Sequence, residues 1–318
     1  MPAMPFVSII IPCKNVDDYT KECIEHCKRL DYADFDIILL PDNNEELVSG
    51  VRIIATGSVS PGNKRNIGVK NSTGAFCAFI DNDAYPRSDW LKNALKYFED
   101  LTVGGVGGPG LTPAADGFMQ KAGGYVLSSF MVGNLSSRYK TKSCFESDDI
   151  HSCNFIARKS VLEEAGGWNE KYWPGEDTLM CLAIKKLGKK LIESSDIVVY
   201  HHRRSLFKQH LRQVSRFGEH RGFFAKKFPE NSVKLTYFFP SLLVSSLFVG
   251  VVLSLIFPLF SYVLLFGVAV YLVSGLIAAA LQVKNVKLVL SVWLGIIVTH
   301  LVYGSFFLSG LVKRDLKR

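Results

Sequence analysis

The sequence predicts an α/β domain with a mostly parallel sheet, followed by helices that cross a membrane. Three observations carry that expectation. Short apolar runs alternate with helix-patterned segments over the first 200 residues, which implies a sheet covered by helices on both faces. From Leu235 to Val283, 49 residues contain no Asp, Glu, Lys or Arg, and a second run from Leu288 to Val312 carries only His300. Positive charge gathers just before the first of these runs: residues 201–227 hold eight Lys/Arg and one Glu, while residues 1–200 hold 22 Lys/Arg against 26 Asp/Glu.

A bilayer crossing takes roughly 20 apolar residues. The first run is long enough for two crossings, with Pro258 near its middle where a turn would fall, and the second is long enough for one. The sequence therefore divides into a catalytic region, 1–200, a basic juxtamembrane segment, 201–234, a membrane region, 235–312, and a basic tail, 313–318. The basic segment suits the anionic lipid of a cytoplasmic membrane face. Nucleic acid is excluded as its partner, because no nucleic-acid-binding motif accompanies the charge. Three crossings would leave "KRDLKR" outside, against the positive-inside bias, so one apolar segment is expected to be re-entrant or interfacial.

Seven cysteines show no paired framework, which predicts reduced thiols. The apolar run "FVSIII" is too short for a signal-peptide core, which puts the catalytic region in the cytoplasm, with the inner membrane as its location.

The elements follow in order. "FVSIIIPCKN" reads as a buried strand ending at Pro12, and Cys23, Cys27 and Leu30 share one face of the next helix. "FDIILLPDNN" is a second buried strand that ends on Asp42, and "VRIIAT" a short third. "SPGNKRNIGVKNSTG" is a helix with Ser60 as N-cap, Pro61 in the first turn and Gly74 as its stop. After the strand "AFCAFI", a helix capped by Ser88 begins at "SDW". "GFMQKAGGYVLSSFMVGNL" reads equally as membrane-facing or as core. A helix then starts at Glu176-Asp177 and stops at Gly188. In such sheets ligands collect beyond the carboxyl ends of the strands, where Lys14, Asp42, Asp81 and Asp83 all fall.

The strand "AFCAFI" runs directly into Asp81-Asn82-Asp83. Two carboxylates one residue apart repel unless something compensates. Hard oxygen ligands suit Mg²⁺ or Mn²⁺, which takes one or two carboxylates together with substrate phosphates. Asp177 follows the aromatic loop "GWNEKYWPGE", a setting in which a general base can meet an acceptor hydroxyl away from water.

Taken in order, "PCKN", "LLPDNN", "GNKRNIG", "DND", "GGWNEKYWPGED" and "RQVSRFG" resemble the family 2 inverting glycosyltransferases with a GT-A fold. Among them the chain looks most like membrane-attached enzymes that extend lipid-linked saccharides in exopolysaccharide or glycan assembly. The resemblance spans residues 5–227 and implies a nucleotide-diphosphate sugar as donor and a polyprenyl-linked acceptor. It implies Asp177 as catalytic base, Asp42 on the nucleotide base, and Pro12 and Lys14 lining the nucleotide pocket. Asp81 would reach the ribose and metal region and Asp83 would ligate the metal. Gln213 and Arg216 would lie near the diphosphate and acceptor, Arg65 would contact the diphosphate, and His202, beside His201, would supply a further metal ligand.

Three departures stand out. "PDNN" replaces an Asp-Asp-Gly-Ser run, Phe217 replaces Trp after Arg216, and Leu179 and Ala183 stand where the family often has Asp and Arg. The implied function is a nonprocessive transferase. Its alternatives are a polyprenyl-phosphate sugar synthase and a catalytically silent nucleotide-sugar-binding membrane protein. A processive synthase would need more than three apolar segments to enclose a polymer. A second copy of the chain remains open as a partner.

Overall fold

A computed structural model describes residues 5–44, 48–133 and 144–316. The chain begins with β1 (Val7–Pro12), α1 (Asp18–Lys28), β2 (Phe35–Leu40), β3 (Arg52–Ile53), α2 (Pro61–Asn71), β4 (Phe76–Phe79) and β5 (Ala84–Pro86). It continues through α3 (Trp90–Lys96), β6 (Val103–Gly107), β7 (Gly110–Leu111), α4 (Phe118–Ser128), α5 (Phe130–Gly133) and β8 (Phe145–Glu146). Next come β9 (Phe155–Arg158), α6 (Lys159–Glu164), α7 (Glu176–Lys186), β10 (Lys190–Glu193) and β11 (Val199–His201). The remainder is helical: α8 (Lys208–Lys227), α9 (Pro229–Ser232), α10 (Leu235–Ile256), α11 (Leu259–Ala280) and α12 (Val286–Val312).

These elements form two compact units. The first comprises residues up to Pro113 together with Ser137–His202, and the second Ala114–Ser136 together with Arg203–Lys317. The stretch holding α4 and α5, open between membrane-facing and core from its sequence, thus belongs with the apolar helices.

In the first unit an eight-stranded sheet runs β3-β2-β1-β4-β9-β6-β10-β8, and a small sheet runs β5-β11-β7. β1 is parallel to both β2 and β4, and all six of its residues are buried. Such a strand has two apolar faces to cover. Val7, Ile9 and Ile11 meet Cys23, Ile24 and Cys27 of α1 and Trp90 and Leu91 of α3. On the other face Ile10 joins Cys77, Phe79, Leu162, Trp168, Met180 and Ile184. The sheet is mostly parallel, as the sequence predicts, except where β9 runs antiparallel between β4 and β6. The chain enters β9 after its excursion into the second unit, so no crossover helix within the first unit fixes that strand's direction.

Local punctuation follows the sequence with two differences. Ser60 caps α2, its Oγ accepting from the Asn63 amide at 3.3 Å. That helix stops at Asn71, before Gly74, because Ser72 turns the chain and bonds the Val69 carbonyl at 2.7 Å. Asp89, not Ser88, stands at the start of α3; Ser88 donates to Asp31 at 3.0 Å. Pro258 lies between α10 and α11, as expected.

In the second unit α10, α11 and α12 are long and apolar enough to cross a membrane. Ala122, Val126, Leu206, Ala278, Ala279, Val292 and Ile296 form the unit's buried cluster.

Candidate active site

β4 delivers the chain through Ile80 to Asp81, Asn82 and Asp83 at the sheet's carboxyl edge. The turn is tied to α1: the Asn82 amide donates to Thr20 Oγ1 at 3.0 Å, and Asp17, the cap of α1, accepts from Thr20 Oγ1 at 2.7 Å. β5 leaves the turn and pairs antiparallel with β11, in a register that sets His201 opposite Ala84. His201 Nε2 then sits 3.1 Å from Asp83 Oδ1. Asp81, Asp83 and His201 each offer one ligand atom, all within 4.8 Å of one another. Two carboxylate oxygens and one imidazole nitrogen fit a divalent cation with positions left for phosphate oxygens.

The expected further ligand was His202, and the structure brings His201 to that place. Strand alternation points neighbouring side chains to opposite faces, and His202 Nε2 bonds Glu22 at 2.8 Å with its ring against Tyr19. Burial opposes a proton on His201, but Cys153 and Asp83 outweigh it and push its pKa up to about 10. The Asp83 carboxylate that helps hold that proton also favours a metal cation.

Arg65, on α2, is 2% exposed and bridges two carboxylates. Its two terminal nitrogens reach Asp81 Oδ1 at 2.9 Å and Glu176 Oε1 at 2.8 Å, and its guanidinium lies 5.0 Å from the centre of the Trp168 ring. One N–H of each terminal nitrogen makes this bridge, and each nitrogen has a second N–H that the expected diphosphate contact would use. Burial raises the Glu176 carboxyl to about 7, with Asp177 adding to the rise and Arg65 opposing it. Asp177 is half-buried beside Glu176 in the first turn of α7, and its Oδ1 accepts from the Thr178 amide at 2.8 Å.

Two glycines let the aromatic loop approach. Gly175, with φ of 114°, makes the turn into α7. A methyl at Gly62 would lie 2.6 Å from the Asn169 carbonyl oxygen, so α2 touches the loop backbone directly.

Pro12 is buried at the end of β1, and Lys14 just beyond it is exposed. Asp42 follows β2 and pairs with Lys64 at 2.7 Å; Lys64 also bonds Thr56 at 2.7 Å and the Leu40 carbonyl at 3.1 Å. Lys14, Asp42, Asp81 and Asp83 thus all lie past strand ends within the first unit. Gln213 and Arg216 lie on α8 in the second unit, with Arg216 exposed. Sequence reasoning missed Glu176 as the inner partner of Arg65 and Lys64 as the partner of Asp42. Burial of opposite charges was the missing information, and no local pattern encodes it.

Residues 8–166, half of the chain, match the glycosyl transferase family 2. The chain belongs to that family and is a glycosyltransferase. It is 23% identical over 244 residues to a dolichyl N-acetyl-α-D-glucosaminyl phosphate 3-β-D-2,3-diacetamido-2,3-dideoxy-β-D-glucuronosyltransferase of Methanococcus voltae, covering 70% of this chain and 75% of that one. It is 27% identical over 179 residues to the pre-mycofactocin glycosyltransferase of Mycobacterium tuberculosis, covering 56% of this chain but 37% of that protein. Among solved structures it is similar to the mannosyltransferase PcManGT of Pyrobaculum calidifontis, in complex with GDP-Man and Mn²⁺. That likeness has a TM-score of 0.57 and 17% identity, over 99% of this chain and 89% of the other, and shows a shared GT-A fold.

Proposed function

We propose that the chain moves one sugar from a nucleotide-diphosphate donor to a hydroxyl of a lipid-linked saccharide, with inversion, at the cytoplasmic face of the cell membrane. The observation that carries this reading is Asp177, half-buried beside Glu176, whose side chain Arg65 ties to Asp81. One carboxylate for the acceptor and one cation site for the leaving group are what a direct displacement needs. Asp177 takes the hydroxyl proton as that oxygen bonds the anomeric carbon. The carbon–oxygen bond to the diphosphate breaks, and the electron pair leaves with the nucleoside diphosphate. Attack from the face opposite the leaving group inverts the anomeric centre.

Asp81, Asp83 and His201 would hold Mg²⁺ or Mn²⁺, which when bound neutralises charge on the departing diphosphate. Asp42, Pro12 and Lys14 would frame the nucleotide, and Gln213 and Arg216 would meet the diphosphate and acceptor. The acceptor printed in the name of the Methanococcus voltae relative is itself a lipid-linked sugar, which supports this acceptor class.

The test offers membranes holding the full chain a nucleotide sugar with either lipid-linked mono- or disaccharide or bare polyprenyl phosphate. Transfer to the saccharide supports the proposal. Preference for bare phosphate identifies a polyprenyl-phosphate sugar synthase instead, and donor binding without transfer to either identifies a silent binding protein.

A further inference from the structure

Within the second unit, α12 has the length of a membrane span but the neighbours of a surface helix. The hydrogen bonds and close packing that tie it to the α10–α11 hairpin lie in the half of the hairpin away from Pro258. Trp293 donates its indole N–H to the Leu272 carbonyl at 2.9 Å, and it lies 3.2 Å from where a Cβ on Gly275 would be. His300 accepts from the Tyr271 hydroxyl at 2.8 Å. Further along, a methyl at Gly304 would strike the Pro240 carbonyl and come within 2.9 Å of Val244, and Phe307 packs edge-on to Phe238 at 4.8 Å.

Tyr271, Leu272 and Gly275 lie within about 14 Å of the end of α11, and Phe238, Pro240 and Val244 within about 14 Å of the start of α10, at about 1.5 Å per residue. Because α10 and α11 are antiparallel around Pro258, these are the same end. α12 therefore passes from α11 to α10 across the base of the hairpin. Near the tip, Phe248, Leu255, Leu259, Tyr262 and Phe266 are all more than 70% exposed, as side chains facing lipid would be.

The other side of α12 is covered by an amphipathic helix, α8, whose small residues Gly218 and Gly222 face it. α8 carries six Lys/Arg in 20 residues and runs beside the second half of α12. His210 meets Thr299 at 2.9 Å, a Cβ on Gly218 would sit 2.6 Å from the Tyr303 carbonyl, and Lys226 donates to the Leu311 carbonyl at 3.0 Å. Glu219 pairs with Lys313 at 2.6 Å. A helix so charged does not sit in hydrocarbon, so the half of α12 in backbone contact with it does not either. The remaining residues, 286–298, span about 20 Å, short of the roughly 30 Å core. They too are covered: a methyl at Gly295 would strike Val126 of α4, and Leu288, Val292 and Ile296 are buried in one cluster with Ala122 and Val126 of that helix.

We infer that α10 and α11 alone cross the bilayer, while α12 lies in the membrane interface with α4, α5 and α8, its exposed stripe of Val286, Leu290, Leu294, Leu301 and Val312 in the acyl region. The partner of this surface is the bilayer: apolar stripe inward, the lysines and arginines of α8 at anionic headgroups. Both ends of α12 then stay on the side from which α10 departs, and the basic tail conforms to the positive-inside bias. The inference is independent of the transfer reaction.

A membrane-impermeant maleimide applied to sealed vesicles of known orientation tests it on the full chain. Exposed Cys144 marks the side of the first unit in the wild type, and Lys284→Cys, Arg314→Cys and Phe257→Cys are read singly in a Cys144→Ser background. Lys284→Cys and Arg314→Cys should label from the Cys144 side and Phe257→Cys from the opposite side. Labelling of Lys284→Cys and Arg314→Cys from opposite sides overturns the inference, as does labelling of Phe257→Cys from the Cys144 side. Nitroxides at Leu290→Cys and Leu301→Cys, which share one face of the helix, give a second reading. Equal depths place α12 in the plane, whereas a depth difference of about 17 Å, from a helical rise of about 1.5 Å per residue, makes it a crossing helix.

Discussion

His201 and Asp83 lie 118 residues apart in sequence and 3.1 Å apart in space, joined by the antiparallel pairing of β11 with β5. A cation at this place would draw its ligands from a strand end and from a strand that returns much later. Replacing Asp83 by Asn removes one anionic ligand from a site with few. Donor binding titrated calorimetrically with Mn²⁺ should become undetectable while the far-UV circular dichroism of the folded chain is unchanged, and unaltered affinity removes Asp83 from the site.

Metal affinity should rise with pH. His201 has its pKa pushed up to about 10, so below that pH a cation must displace a proton. Each pH unit below about 10 should tighten Mn²⁺ binding by up to tenfold, and His201→Gln should flatten that slope. Without metal the sign reverses for stability. A raised histidine contributes fully below its unfolded value near 6.5, and the contribution is lost as pH climbs towards about 10. Dissociation constants at pH 6.5, 7.5 and 8.5 check the first statement, and a flat wild-type profile shows that binding displaces no proton from His201.

Arg65→Gln should cost about 3 kcal/mol at pH 8 because it strands Glu176 and Asp81 without their cation. Glu176→Gln in the same chain should recover part of that loss. Denaturant unfolding of the single and double variants measures the coupling, and strictly additive effects contradict the bridge.

Asp177→Asn should keep donor and metal binding and lose transfer by about 10²–10⁴, the contribution of a positioned base. Near-wild-type turnover with lipid-linked saccharide refutes the assignment.

Much of the fold was legible because it depends on local chemistry. The unbroken apolar run of β1 and the Ser60–Pro61 start of α2 are properties of neighbouring residues. Asp81 and Asp83 were legible for the same reason, being at the end of a recognisable strand. The choice of His201 over His202 was not, since it rests on the β5–β11 register. Nor was the burial of Arg65, whose sequence alone looks like that of any exposed cation. The placement of α4 was undecided for a different reason. Its small apolar residues suit a protein core and a membrane boundary alike, and the partners that decide between them, such as Gly295, come far later in the chain.

That distance also matters during biosynthesis. The Met131 carbonyl of α5 is met by His300 of α12, and the two lie 169 residues apart in sequence. At roughly 5–20 residues per second, translation takes on the order of 8–34 s to cover such an interval. Throughout that time α4 and α5 have left the ribosome without the helix they pack against. The nascent chain must hold an apolar segment in reserve until its last helix is made. Termination before α12 would release a polypeptide whose second unit lacks Leu288, Val292 and Ile296 of its buried cluster.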